Sequence, residues 1–362
     1  MNIGTPAMLA VPPLPESKTP ERDEAPIREA AFVKSSLGIS FMVISDDIHS
    51  FLESQSATTL ALKTDIVAAN SLVTEWESTE GLTLLTDFEG ENMGWGGLLE
   101  TAQFLPTKMM HPATLRVDCV NKPESITRFD LPGLLVDTRG PEAAAIVKRI
   151  MESPKLTKLI WGADGDCTSL CHQNNLQARP VQVVDVQLGY SSPGKRLGMA
   201  GALEQVPWSF IKGLPCKDAN PDKYNPQAHN KRCNELPCGR EEELYAMDDL
   251  HRIEAIISTR APTMRSFSQA KTMTDQLIND IYHPAGGLNW LRQESSYYGR
   301  KYGLMKSKKA VQFARACVHI ELVFGATLSA PENHFITSVK QKIAPELRRL
   351  GVIVKDLSFV GD

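Results

Sequence analysis

Hydrophobic positions along the chain change period several times, and the changes outline the elements. Residues 1 to about 38 show no sustained period and carry Pro6, Pro12, Pro13, Pro15, Pro20 and Pro26 among polar residues. Such a stretch buries too little to offset its ordering entropy and is expected to be a flexible tail. The apolar run Ile39 to Ser45 predicts a strand, followed by a helix from Asp46 to Ser54 capped by Asp46 or Asp47, and another helix from Asp65 to Ser78. Leu82 to Phe88 reads as a buried strand, Asn92 to Gly97 as a Gly-rich turn, Leu98 to Leu105 as the partner strand and Leu131 to Asp137 as a third.

From there helix and strand patterns alternate. The helix from Pro141 to Met151, the strand Lys158 to Gly162, the helix Cys167 to Asn174, the strand Val181 to Val186 and the helix Lys195 to Gln205 imply an α/β domain, a mixed sheet covered by helices. The rhythm breaks between residues 207 and 240, a polar, Pro-rich segment that must be functional or clamped. A helix from Glu241 to Ser258 follows, and beyond Pro262 the pattern is helical through Ser266 to Tyr282, Ser307 to Gly325 and Phe335 to Leu350. The expected organisation is a tail over 1–38, a domain over 39–260 with an insertion over 207–240, and a mainly helical C-terminal region over 261–362.

Composition narrows the class. A chain of 362 residues, 42% hydrophobic, has room for about two domains and a sizeable core. No run of 18 apolar residues predicts a membrane span, and the first basic residue, Lys18, fits neither a secretory nor an Arg-rich targeting segment. Seven cysteines, an odd number, suggest a reducing intracellular compartment in which Cys is core filler or metal ligand. The net charge of −4 hides an asymmetry: residues 251–362 hold 16 Lys and Arg against 9 Asp and Glu, and the remainder 23 against 34. An acidic part for metal ions beside a basic part for a polyanion would show this balance, as would an ordinary solvated helical surface.

The candidate chemistry sits where apolar runs end in acids. Asp87 and Glu89 are two residues apart on a strand and share a face. Asp166 lies at the entry of a helix, and Tyr245 and Asp249, four apart, stack on one face of another. Four carboxylates beside a phenol are hard ligands suited to Mg²⁺ or Mn²⁺ rather than zinc. Two such ions about 4 Å apart can activate a water and stabilise the leaving oxygen of a phosphodiester. A phenol with a pKa of about 10 is a poor base at neutral pH, so Tyr245 would orient the water and the metal would activate it.

The segments Asp87-Phe88-Glu89, Gly162-Ala163-Asp164-Gly165-Asp166, Val184-Asp185-Val186-Gln187-Leu188 and Tyr245-Ala246-Met247-Asp248-Asp249 resemble successive motifs of the DEDD 3′ to 5′ exonucleases, in the RNase D-like branch. The resemblance runs from about Thr83 to Ile257. Its discriminating detail is Tyr four residues before the last Asp; the sister branch has a His five before it, where this chain has Leu244. The resemblance implies a ribonuclease H-like sheet, two divalent metals and removal of nucleotides from a 3′ end of single-stranded RNA. By the same resemblance Asp87 contacts both metals, Glu89 and Asp249 complete the nucleophile-side ion and Asp166 serves the second. Asp185 is expected to be structural, and Gln103 a structural hydrogen-bonder.

Three features lie beside that pattern. In the long loop, Cys216, His229, Cys233 and Cys238 offer four ligands for a structural zinc that would order a polar segment. Trp95 either stacks on a terminal base or covers a sheet edge. Arg300, Lys301, Lys306, Lys308 and Lys309, interleaved with tyrosines, either contact nucleic-acid phosphates or form a solvated helix face. Two rivals to an exoribonuclease stay open: a 3′ to 5′ DNA exonuclease, which shares the same acids, and a non-catalytic RNA-binding scaffold on the same fold.

Overall fold

The structure is a computed structural model, and it describes residues 31–44, 66–91, 93–109, 126–129, 131–172, 176–190, 196–214, 240–260, 267–302 and 307–352. The helix expected over Asp46 to Ser54 and the four Cys/His residues of the long loop lie outside them.

Among the described residues eight strands form one mixed sheet: β1 (Ala31–Lys34), β2 (Ser40–Ile44), β3 (Leu82–Glu91), β4 (Leu98–Met109), β5 (Ile126–Arg128), β6 (Gly133–Asp137), β7 (Thr157–Ile160) and β8 (Val183–Asp185). Their order is β1-β2-β6-β4-β3-β7-β8, with β5 pairing on β4. β3 runs antiparallel to β4 and parallel to β7, and β7 is parallel to β8. Because β3, β7 and β8 point the same way, their carboxyl ends emerge side by side, the position at which open α/β sheets gather ligands.

Period two decides what each face receives. Leu82, Leu84 and Phe88 of β3 belong to one apolar core, and Leu85 belongs to the other. The first core is filled by helices α1 (Ile66–Ser78), α2 (Pro141–Glu152) and α3 (Ala163–His172). The short helices α4 (Val186–Tyr190), α5 (Met199–Leu203) and α6 (Trp208–Ile211) and the long α7 (Arg240–Arg260) lie toward the second, where Met247, Leu250, Ile253 and Ile257 of α7 are buried. Asp87 and Glu89 share the parity of Leu85 and so stand on the face that α7 covers.

The C-terminal helices are α8 (Phe267–Ile281), α9 (Pro284–Tyr302), α10 (Ser307–Phe324) and α11 (Ala330–Arg349). α8 packs on β8, places Ala270 in the second core and Ile278 and Ile281 in the first, and thereby covers the sheet edge. Thr274 of α8 accepts the Asp185 backbone N–H at 2.8 Å. Leu288 and Leu291 of α9, Phe313 and Ile320 of α10, and Ile336 and Ile343 of α11 continue the first core. The whole is the α/β arrangement expected, a mixed sheet flanked by helices, with a helical C-terminal region.

Four readings need correction. The expected tail reaches to residue 38, yet Ala31–Lys34 pairs antiparallel with β2, since Ala-Phe-Val-Lys is a short edge strand that composition hid among the preceding prolines. The helix expected from Cys167 starts at Ala163, so the acidic Asp164-Gly165-Asp166 forms its first turn. The helix expected over Lys195 to Gln205 is confined to Met199–Leu203. Between the helices expected over Ser266 to Tyr282 and Ser307 to Gly325 lies a further one, Pro284–Tyr302, which was not delimited; its Gly287 is small because a Cβ there would stand 2.8 Å from the Trp95 ring and from Ile320.

Candidate active site

Asp87 and Glu89 come from the end of β3, and Asp249 from the middle of α7. One carboxylate oxygen from each can be chosen so that all three lie within 4.8 Å of one another. Asp87 and Asp249 are 8% and 4% exposed. Like charges this close in so dry a place repel strongly, so the cluster requires cations. One is supplied internally: buried Arg252 donates to Asp249 at 2.5 Å, and its guanidinium lies 6.0 Å from the centre of the Tyr245 ring. Tyr245, Asp249 and Arg252 thus form one stripe of α7 at spacings of four and three. The arginine escaped the sequence reading, although its spacing from Asp249 was the available signal.

The phenol of Tyr245 is pushed above its usual range, first by burial and then by the charges of Asp249, Glu89 and Asp87, with Arg252 opposing. It is therefore a protonated hydrogen-bond donor at any pH near neutrality. Asp166, in the first turn of α3, is partly exposed to solvent, yet its carboxyl is raised well above the ordinary range by packing and by Glu89, Asp164 and Asp185. Glu89 is the cluster acid that acts on it, and Asp166 is not among the three carboxylates that converge within 4.8 Å. Asp164 points to solvent instead and pairs with Arg196 at 2.8 Å.

Asp185 holds the frame. Its carboxylate accepts the backbone N–H groups of Gly162, Ala163 and Gln187 at 2.9, 3.2 and 2.9 Å. Gly162 has a φ of +79°, a conformation open to glycine, and the turn it makes swings the chain from β7 into α3 and sets Asp166 over the end of the sheet. Asp248 faces away from the cluster and accepts the backbone N–H and hydroxyl of Ser36 at 3.1 and 2.6 Å, while His251 is hydrogen-bonded to Ser35 at 2.8 Å. These two contacts seat α7 on the β1–β2 turn. Gln103, opposite Asp87 in the register, donates to Thr101 at 2.7 Å and is fully buried.

The residues expected to touch nucleic acid divide differently. Trp95 is 6% exposed and stacked on His172 with ring centres 4.0 Å apart, so it covers the core rather than a base. Lys309 is also drawn inward, donating to Gln312 Oε1 at 2.7 Å. Arg300 and Lys301 lie on α9 and Lys308 on α10, and Lys306 is outside the described residues. Cys167 and Cys171 are buried free thiols, as is Cys317. Among the described residues no helix is long and apolar enough to cross a membrane.

The three acids fit hard divalent cations: all are oxygen donors, and their oxygens converge from two distant elements.

No protein-family model matches the chain, and no curated protein matches it either. Solved structures do resemble it. Trypanosoma brucei RNase D is 14% identical, with 60% of this chain and 70% of that one aligned at a TM-score of 0.43. The catalytic core of RRP6 from Trypanosoma brucei is 14% identical over 92% of this chain and 94% of that one, with a TM-score of 0.37. Escherichia coli RNase D, an exoribonuclease involved in structured RNA processing, is 14% identical over 80% and 74%, with a TM-score of 0.28. At such identities and scores any activity must be argued from the carboxylates and the frame that holds them.

Proposed function

We propose that the protein is a divalent-metal-dependent 3′ to 5′ exoribonuclease. The observation that carries this reading is the convergence of Asp87, Glu89 and Asp249 within 4.8 Å at the end of β3. Asp87, Glu89 and Asp249 would hold one cation, and Asp87 with Asp166 a second. When bound, the pair supplies Lewis-acid activation of a water and charge stabilisation at the leaving 3′ oxygen.

The chain's own groups do the rest. Arg252 fixes the Asp249 rotamer by bonding one of its oxygens. Tyr245, protonated, donates a hydrogen bond that orients the attacking water but takes no proton from it. Asp185 fixes the Gly162 turn and with it the place of Asp166.

The test is incubation with Mg²⁺ and 5′-labelled RNA and DNA oligonucleotides, with products resolved by length. A ladder shortening from the 3′ end of RNA, abolished by EDTA and lowered more than about 100-fold in Asp87→Asn, is expected. Intact RNA with the wild type, or retained turnover in Asp87→Asn, overturns the proposal. Cleavage of DNA with RNA untouched moves it to the DNA exonucleases.

A further inference from the structure

Helix α10 is far from the acids in sequence but is bolted to the turn that follows them. After Glu89 the β3–β4 ladder shifts register, and Gly90 is pressed against Leu98, where a Cβ would stand 2.0 Å from its carbonyl oxygen. β3 then ends at Glu91, which faces Arg315 of α10 at 3.8 Å. In the turn, Gly96 lies against the backbone of α10, and a Cβ there would come within 2.1 Å of the Gln312 carbonyl oxygen and 2.8 Å of the Ala316 nitrogen. Gln312 Nε2 donates to the Trp95 carbonyl at 3.1 Å in a fully buried contact.

The amide of Gln312 cannot be the other way round. Lys309 Nζ, a donor only, bonds its Oε1 at 2.7 Å, which leaves Nε2 to face the Trp95 carbonyl. The opposite side of the same turn touches α3: Gly94 N–H donates to Ser169 Oγ at 2.9 Å, Met93 lies against Gly165, and Trp95 stacks on His172. The turn residues Met93–Gly97 are therefore wedged between the strand that carries Asp87 and Glu89, the helix that carries Asp166, and α10.

We propose that α10 is a positioning element for the candidate site, acting through Gln312 on this turn so as to set the spacing between Glu89 and Asp166. The inference rests on the nuclease reading above. Gln312 touches no reacting atom; it acts through the Trp95 carbonyl. A change of a few tenths of an ångström between carboxylates that share ions alters cation affinity and turnover while leaving RNA-body contacts alone.

The experiment uses the full chain carrying Gln312→Met, which keeps an unbranched side chain of similar length without the amide, and Lys309→Met, which removes the group that orients it. Mn²⁺ binding is read from the loss of the free-ion electron paramagnetic resonance signal, and kcat and KM are measured on RNA at saturating and limiting Mg²⁺. In both variants Mn²⁺ affinity and kcat should fall by about 5- to 20-fold, with KM for RNA within about 2-fold of wild type. Wild-type Mn²⁺ affinity and kcat in Gln312→Met, in a protein whose melting temperature has fallen, would make the contact merely structural and overturn the inference. Wild-type protein that neither binds Mn²⁺ nor cleaves RNA overturns the nuclease reading, and the inference with it; binding and cleavage that are normal in both variants overturn the inference alone.

Discussion

Arg252 is the side chain on which the charge balance of the site turns. It is 2% exposed and bonded to Asp249. Arg252→Met removes a buried guanidinium from beside Asp249, and unfolding in urea without metal should show a loss of about 3–5 kcal/mol. Mg²⁺ should restore part of that loss and stabilise the variant more than the wild type; equal Mg²⁺ effects in the two proteins would remove the arginine from the site. Tyr245 makes a different prediction. Its phenol is pushed above the usual range, so kcat should show no ionisation of this group from about pH 6 to pH 9, and Tyr245→Phe should lower activity less than Asp249→Asn without changing the shape of the profile. A limb that vanishes in the Phe variant would make the phenol a base.

Among the elements, α3 and α10 meet through two buried histidines. His172 and His319 have ring centres 4.3 Å apart and are 2% and 0% exposed. Burial pushes His172 down to about 2, helped by His319, and burial pushes His319 down to about 4. Both lie below the 6.5 of the unfolded chain, so the unfolded state binds more protons below that pH and the stability present at pH 7 is lost as the solution is acidified. Between pH 6.5 and about 4 each histidine should contribute a slope of about 1.4 kcal/mol per pH unit. In urea titrations at pH 7 and pH 5, His172→Phe should lose about half of the slope due to the pair; a slope equal to wild type would show that the rings are solvated. The existence of such contacts was not legible in the sequence. Strand and helix periods gave most of the sheet; the end of the Leu82 run pointed to Asp87 and Glu89, helical spacing from Tyr245 to Asp249, and the motif at a helix entry to Asp166. The elements missed or misbounded were Ala31–Lys34, whose neighbouring prolines argued against it, the undelimited Pro284–Tyr302, and the short Met199–Leu203.

At the scale of the molecule, the base-rich C-terminal region is less separate than its charge suggested. Leu288, Leu291, Phe313, Ile320 and Ile336 lie in the same core as Leu84 and Trp95, and several cations are engaged within the protein: Lys271 with Asp275, Arg315 with Glu91, Arg349 with Glu346. Charge counting sees the excess and not the partners, which is why a change in composition near Arg260 looked like a boundary. Removing residues 284–362 should therefore expose apolar surface across the first core and yield aggregated protein, read by light scattering and far-ultraviolet circular dichroism. A soluble truncated protein with a cooperative melt would show that the sheet and its first eight helices stand alone.

The long-range bonds also order events in time. Asp87 and Asp249, which share one cluster, are separated by 162 positions, and the Trp95–Gln312 bond spans 217. At about 5–20 residues per second, a ribosome takes on the order of ten to forty seconds to cross either interval. Throughout that delay the emerging chain holds Asp87 and Glu89 without the helix that completes them. Under the proposed function the consequence is protective: the nascent chain is inert toward RNA for most of its synthesis, and the site closes only after α7 has been made.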